Sequence, residues 1–114
     1  GELETCARLN ANVKLVICRN DAFGWIKGET SHVMQMDFFA ADFGRVDYAG
    51  AARAFGLKGY VIDAPEKIAP VLKEAFANRG PALIELWVPD ESSFVPPVPR
   101  WVPDAKQKKL PYFY

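Results

Sequence analysis

The eight residues Cys18-Arg19-Asn20-Asp21-Ala22-Phe23-Gly24-Trp25 bring together an amide oxygen, a carboxylate, several backbone carbonyls and the opening of a helix. Hard divalent cations such as Mg2+ take oxygen ligands from side chains, carbonyls and phosphates. A helix start favours anions through its unpaired N–H groups and its dipole. The segment therefore suits a divalent cation bound together with a phosphate. The same Asn-Asp pair also reads as an ordinary polar turn after a strand, and local composition leaves both readings open. Other chemistry is scarce, with two cysteines, Cys6 and Cys18, and a single histidine, His32. A structural zinc site needs about four ligands at ordered spacings, which these three residues do not offer. Two cysteines in different elements make no disulfide framework, so a reducing, intracellular setting is expected, with both thiols buried and inert. A Cys–His nucleophile pair is the sharper alternative. For His32 the plain reading is an exposed helix histidine, and the sharper one a contact to a substrate carboxylate.

The elements that must position these groups come from a chain of 114 residues, enough for one domain at most. Half the residues are hydrophobic and a quarter charged, as in a globular core. The formal net charge is zero, which removes the electrostatic reason to expect nucleic acid or an anionic membrane as partner. No apolar run approaches the roughly 20 residues of a membrane span. Glu2, Glu4 and Arg8 interrupt the opening residues, so no signal peptide is expected and a cytoplasmic location is.

Leu3, Cys6, Ala7 and Asn10 share helical spacing, predicting a short amphipathic helix over 2–11. Residues 13–18, VKLVIC, form a β-branched run of strand length. Gly24-Trp25-Ile26-Lys27 opens a second helix running to Met34, weakened by Gly28 and the Thr30-Ser31 pair. Residues 35–45 have no period and read as a loop. A third helix spans 47–55, with Tyr48, Ala51, Ala52 and Phe55 as its apolar face and Gly56 closing it. Residues 59–62 form a strand. A fourth helix runs from Asp63 to Arg79, with Ile68, Val71, Leu72, Ala75 and Phe76 as its stripe. Within it, Pro70 either kinks the helix or delays its start. The apolar run 82–88 is the last strand.

Strands joined through helices predict an α/β fold of three layers, a mainly parallel sheet with helices on both faces. Three strands and an uncapped first helix suggest a domain incomplete on its N-terminal side, with further strands before Gly1 or on another polypeptide. Residues 1–88 would form this domain. Residues 89–114, with six prolines, Trp101 and Tyr112-Phe113-Tyr114, would form an extended arm, packed on its own domain or a neighbouring subunit or serving as a lid.

From Glu2 to Val88 the chain resembles the C-terminal part of the diphosphate-binding domain of thiamine-diphosphate enzymes, in the acetolactate synthase and 2-oxoacid decarboxylase group. Glu2-Leu3-Glu4-Thr5 matches the family's Glu-Leu-x-Thr helix, and Val13–Cys18 its apolar strand. Arg19-Asn20 matches its Asn-Asn pair, with arginine in place of the first asparagine. Phe23-Gly24-Trp25-Ile26 matches its aromatic-Gly-x-Ile helix start. Asp47-Tyr48-Ala49 with Ala54–Tyr60 resembles its helix-to-strand segment, and Gly80–Glu85 its last strand. The resemblance covers about three quarters of the chain.

The resemblance implies thiamine diphosphate and Mg2+ as cofactors. Asn20 would bind the metal through its side-chain oxygen and Ala22 through its carbonyl, while backbone groups of Phe23, Gly24 and Trp25 meet the diphosphate. The bound cofactor acts as an electron sink for reactions of 2-oxoacids. Ile26 stands where decarboxylase-like members carry a proton-transferring glutamate, which favours acetolactate-synthase-like or lyase-like chemistry. Neither the family's Gly-Asp-Gly motif, source of the charged metal ligand, nor the glutamate of its pyrimidine-binding domain occurs here, so no catalytic residue is assigned. The resemblance implies a homo-oligomer or a complementary chain as partner, supplying both. A non-catalytic structural or regulatory remnant is the alternative, mildly favoured by Arg19. A flavodoxin-like binding domain lacks the expected phosphate loop.

Overall fold

The computed structural model describes residues 1–90, apart from the side chains of His32 and Val33. The expected arm therefore lies, from residue 91 on, outside the described residues, as does the role considered for the His32 side chain. The elements in chain order are α1 (Glu2–Arg8), β1 (Lys14–Arg19), α2 (Gly24–Gly28), a π-helical turn (Glu29–Val33), α3 (Tyr48–Ala54), β2 (Lys58–Ile62), a 3-10 turn (Pro65–Lys67), α4 (Ile68–Ala77) and β3 (Ala82–Trp87). The described residues group into two compact units, Gly1–Arg19 with Val46–Val88, and Asn20–Arg45 with Pro89 and Asp90.

In the first unit the three strands lie in the order β1-β3-β2. Both pairings are parallel, from Lys14↔Ala82 to Arg19↔Trp87 and from Lys58↔Ala82 to Ile62↔Leu86. This is the expected α/β arrangement. The central strand β3 buries Ala82, Leu83, Ile84 and Glu85 in succession, as a strand covered on both faces must. Side chains alternate across a strand, so Leu83 and Ile84 face opposite ways. Leu83 packs with Ala52 and Leu57, joined by Leu3, Ala7, Ile17 and Tyr48 from α1, β1 and α3. Ile84 packs with Ile62 and Ala75, joined by Tyr60, Val71, Leu72 and Leu86. Helices α1 and α3 thus cover one face of the sheet and α4 the other.

Several expected boundaries and faces shift for local physical reasons. Helix α1 ends at Arg8 because Asn10 takes a left-handed φ of 48°, a conformation asparagine tolerates. The fourth helix begins at Ile68, which places Pro70 in the first turn, where its missing N–H leaves no bond unmade. Helix α3 begins at Tyr48, one residue after the expected start, with Asp47 as its N-cap, whose Oδ1 accepts from the Gly50 N–H at 2.6 Å. Gly56 closes it with φ of 90°. Its buried residues are Ala49 and Ala52, whereas Ala51 and Phe55, expected on the core face, are exposed. The sheet comes so close to α3 that only alanine-sized side chains fit beneath the helix. A Cβ on Gly59 would lie 2.2 Å from the Ala49 carbonyl oxygen. Ile68 and Phe76, expected in the buried stripe of α4, are likewise exposed, because α4 presents Val71, Leu72 and Ala75 to the sheet. Neither cysteine is buried as expected: Cys6 is half-buried, and Cys18 is exposed, since β1 forms one edge of the described sheet, where Val16 is also exposed. Both cysteines are free thiols.

Candidate functional site

Two constellations of polar groups stand out, one in each unit. In the first unit, Glu85 sits in the middle of the apolar strand β3 and is 1% exposed. Its Oε1 accepts from Arg19 Nη1 at 2.6 Å and from Trp87 Nε1 at 2.9 Å, and its Oε2 accepts from the Ala49 N–H at 3.1 Å. The Arg19 guanidinium lies over the Trp87 ring, 4.8 Å from its centroid. Burial pushes the Glu85 pKa up, but the hydrogen bonds from Arg19, Ala49 and Trp87, with the Arg19 charge, outweigh it and hold the carboxyl below its ordinary range. A buried charge needs such partners. Arg19, which departs from the family's asparagine, is thus engaged by Glu85 within the strand layer. The Arg19–Glu85 pairing joins residues far apart in the chain and has no local pattern. Its signal was an acid inside the otherwise apolar run ALIELW.

The second unit holds Asn20, Ala22, Phe23, Gly24 and Trp25, all expected at a cation and diphosphate site. Asp21 adopts a left-handed φ of 54°, which folds the chain so that Asn20 Oδ1 accepts from the Ala22 N–H at 3.3 Å. Such side-chain-to-backbone turns are a common use of asparagine. Ala22 is buried and forms an antiparallel bridge with Asp42. The bridge bonds run from Phe23 N–H to Ala41 O and from Phe43 N–H to Asp21 O, both 2.8 Å. Neither bond uses the carbonyl of Ala22. Phe23 packs edge-on against Phe43, with ring centroids 4.4 Å apart. Phe23 is also the N-cap of α2 and offers no side-chain cap. Gly24 is buried in the first turn, while the side chains of Phe23, Trp25 and Ile26 are exposed.

Beneath this turn lies Lys27, 6% exposed. Its Nζ donates to Asp42 Oδ1 at 2.7 Å and to Asp90 Oδ2, and it lies 4.5 Å from the centroid of the Phe38 ring. The hydrogen bond to Asp42, then that to Asp90, raise the Lys27 pKa against the opposing effect of burial, so the ammonium stays charged. The sequence showed Lys27 only as a polar residue of the second helix, because its partners come from a loop without periodicity and from beyond β3.

The fit of this unit to a bound cation is a matter of donor chemistry. Among the described residues no group of three or more His, Cys, Asp and Glu side chains is placed to hold a metal. The Asn20 amide oxygen and the Ala22 carbonyl, in one turn, are instead neutral hard donors. That set fits Mg2+ held jointly with a phosphate and with further oxygen ligands. Among the described residues, no helix is long and apolar enough to cross a membrane.

The family described as "Thiamine pyrophosphate enzyme, C-terminal TPP binding domain" matches residues 1–86. The catabolic acetolactate synthase of Raoultella terrigena is 31% identical over 85 residues, 75% of this chain and 15% of that protein. The large subunit of acetolactate synthase isozyme 1 from Escherichia coli (strain K12) is 27% identical over 99 residues, 86% of this chain and 18% of that one. Sulfoacetaldehyde acetyltransferase of Castellaniella defragrans is 34% identical over 75 residues, 66% of this chain and 12% of that enzyme. The chain thus spans less than a fifth of the length of each of these relatives. With the match running through both layers of helices, the three strands and the Asn20–Trp25 turn, the chain belongs to the thiamine pyrophosphate enzyme family, to its C-terminal TPP-binding domain.

Proposed function

We propose that this domain holds the diphosphate end of thiamine diphosphate (the TPP of the family's description) through Mg2+, as part of an acetolactate-synthase-like enzyme acting on 2-oxoacids by carboligation or decarboxylation. The observation that carries the reading is the Asn20-Asp21-Ala22 turn, which brings a side-chain amide oxygen and a carbonyl unused by the Ala22–Asp42 bridge into one short segment. Asn20 Oδ1 and the Ala22 carbonyl would ligate the metal. The backbone N–H groups at the start of α2, from Gly24 and Trp25, would meet the diphosphate, with Phe23 leading into them. The bound thiazolium supplies the electron sink. The protein's share here is to bind and orient it. Ile26 offers no proton-transferring group, which supports carboligase-like chemistry over the glutamate-assisted kind.

The charged ligand of the family's Gly-Asp-Gly motif and the pyrimidine-binding domain would come from other residues of the same protein or from another chain, in a cytoplasmic oligomer. The remnant reading rested on Arg19. Its engagement with Glu85 gives that substitution a packing role and weakens the ground for a lost site.

Titration calorimetry of thiamine diphosphate with the full-length protein, with Mg2+ and with the metal chelated, tests the reading. Binding is expected only with the metal. Loss of partners behind a metal ligand costs about 10- to 100-fold in affinity, so loss of a ligand itself, Asn20→Ala, should cost at least about 10-fold. Unchanged affinity in Asn20→Ala would overturn the assignment.

A further inference from the structure

Lys27 and Asp42 are tied to the Asn20–Ala22 turn from two directions. Asp42 meets Ala22 through the main-chain bridge and Lys27 through its side chain. Lys27 closes the ring with its own N–H, which donates to Phe23 O at 3.0 Å. Residues 35–45 have no helix or strand of their own, so no regular element of this segment holds Ala41-Asp42-Phe43 beside Asp21-Ala22-Phe23. Among the described residues, the contacts that join the two segments include two main-chain bonds, one aromatic contact and the Lys27–Asp42 ion pair. An isolated pair of strand-like hydrogen bonds is marginal in water. A buried ammonium, by contrast, demands its carboxylates, and one of the two it recruits is Asp42.

Resting on the cation-binding reading above, we propose that Lys27 is a positioning residue. Through Asp42 it holds the Asn20-Asp21-Ala22 turn in the shape that a Mg2+-bound diphosphate requires. The ammonium touches neither metal nor cofactor in this scheme. It fixes the bridge, and the bridge fixes where the Ala22 carbonyl lies. Groups behind metal ligands act in this way and tune affinity without ligating. Among the described residues, the groups facing the Lys27 ammonium are Asp42, Asp90 and the Phe38 ring.

Asp42→Asn is the incisive variant. The Asp42 side chain is 64% exposed, and Lys27 keeps Asp90, so no buried cation is stranded. Hydrogen exchange at the Phe23 and Phe43 amides reads the bridge, and calorimetry with thiamine diphosphate plus Mg2+ reads the site. In the full-length protein, Asp42→Asn is expected to speed exchange at both amides by about fivefold. It should also weaken metal-dependent cofactor binding by about tenfold, with far-UV circular dichroism unchanged. Asp42→Glu, which keeps the charge, should restore most of the affinity. Asp63→Asn breaks an ion pair of similar length, 2.6 Å to Lys67, away from the turn, and should change neither reading.

Unaltered exchange in Asp42→Asn would show that the ion pair does not hold the bridge and would overturn the proposal. Faster exchange with affinity within about twofold of the parent would overturn it too, leaving a brace without a role in binding. Failure of the parent protein to bind thiamine diphosphate with Mg2+ would instead bring down the cation-binding reading, and this proposal with it, before any variant is compared.

Discussion

Replacing Glu85 by glutamine tests how far one buried ion pair holds the strands to α3. The carboxylate takes three donors, and the side chains of Arg19 and Glu85 are 5% and 2% exposed. An amide offers one oxygen. If that oxygen keeps Arg19 and Trp87, its NH2 group faces the Ala49 N–H, donor against donor. If it turns to Ala49, the guanidinium meets an NH2 group instead. Either way the buried Arg19 charge loses the Glu85 counter-charge. Breaking a buried pair by removing one partner costs about 3–5 kcal/mol. Glu85→Gln should fall at the lower end, about 3 kcal/mol, because one strong acceptor remains. That is a large part of the roughly 5–15 kcal/mol that stabilises a domain. The corresponding fall in melting temperature is roughly 12–24 °C. Urea denaturation followed by far-UV circular dichroism measures it without relying on Trp87, which borders the pair. The double variant Arg19→Met with Glu85→Leu removes both charges. It should be more stable than the sum of the single losses predicts, by about 2 kcal/mol. Since the folded-state pKa of Glu85 is lowered, its contribution is present above the ordinary value of 4.5 and is lost as pH falls through the folded pKa. The parent's acid limb should therefore be steeper than that of Glu85→Gln. A Glu85→Gln protein within about 0.5 kcal/mol of the parent, or strictly additive single losses, would refute the reasoning.

Two further outcomes are expected. Gly59→Ala sets a methyl 2.2 Å from the Ala49 carbonyl, forcing α3 away from β2. It should cost about 1–3 kcal/mol, read by thermal melting, and a neutral effect would show that the helix yields freely. Among the described residues the buried Tyr60 hydroxyl has no hydrogen-bond partner, and burial, then the nearby Glu74 charge, raise its pKa above the ordinary 10.0. Tyr60→Phe should be neutral or stabilising at neutral pH. The parent, unlike this variant, should lose part of its stability as pH rises from about 10 toward the folded pKa, which stability measurements across that range would show.

Much of the frame was legible because it depends on neighbours along the chain. Asp47 and Gly56 bound α3 through a local cap and a single left-handed residue. The apolar runs at 13–18 and 82–88 mark strands by length and branching, and the asparagine turn at 20–22 follows from residue types that hydrogen-bond two positions away. The candidate site residues fall in one such local stretch, which is why a linear reading could group them. Less legible were the faces of the helices. Ala51 and Phe55 share a helical stripe with Ala52 as well as Ala49 does, and only the nearness of β2 selects the alanine side.

The amino-acid sequence by itself thus determined the alternation of helices and strands, the parallel α/β class and the position of the Asn20–Trp25 turn, since each follows from propensity, periodicity and capping over a few residues. Tertiary structure alone decided the strand order β1-β3-β2, the pairing of Arg19 with Glu85 across 66 positions, and the burial of Lys27 between acids 15 and 63 positions away. Those outcomes depend on sheet register and on which segments share low-dielectric space. There a charge must find its opposite, however far off in the chain that partner lies.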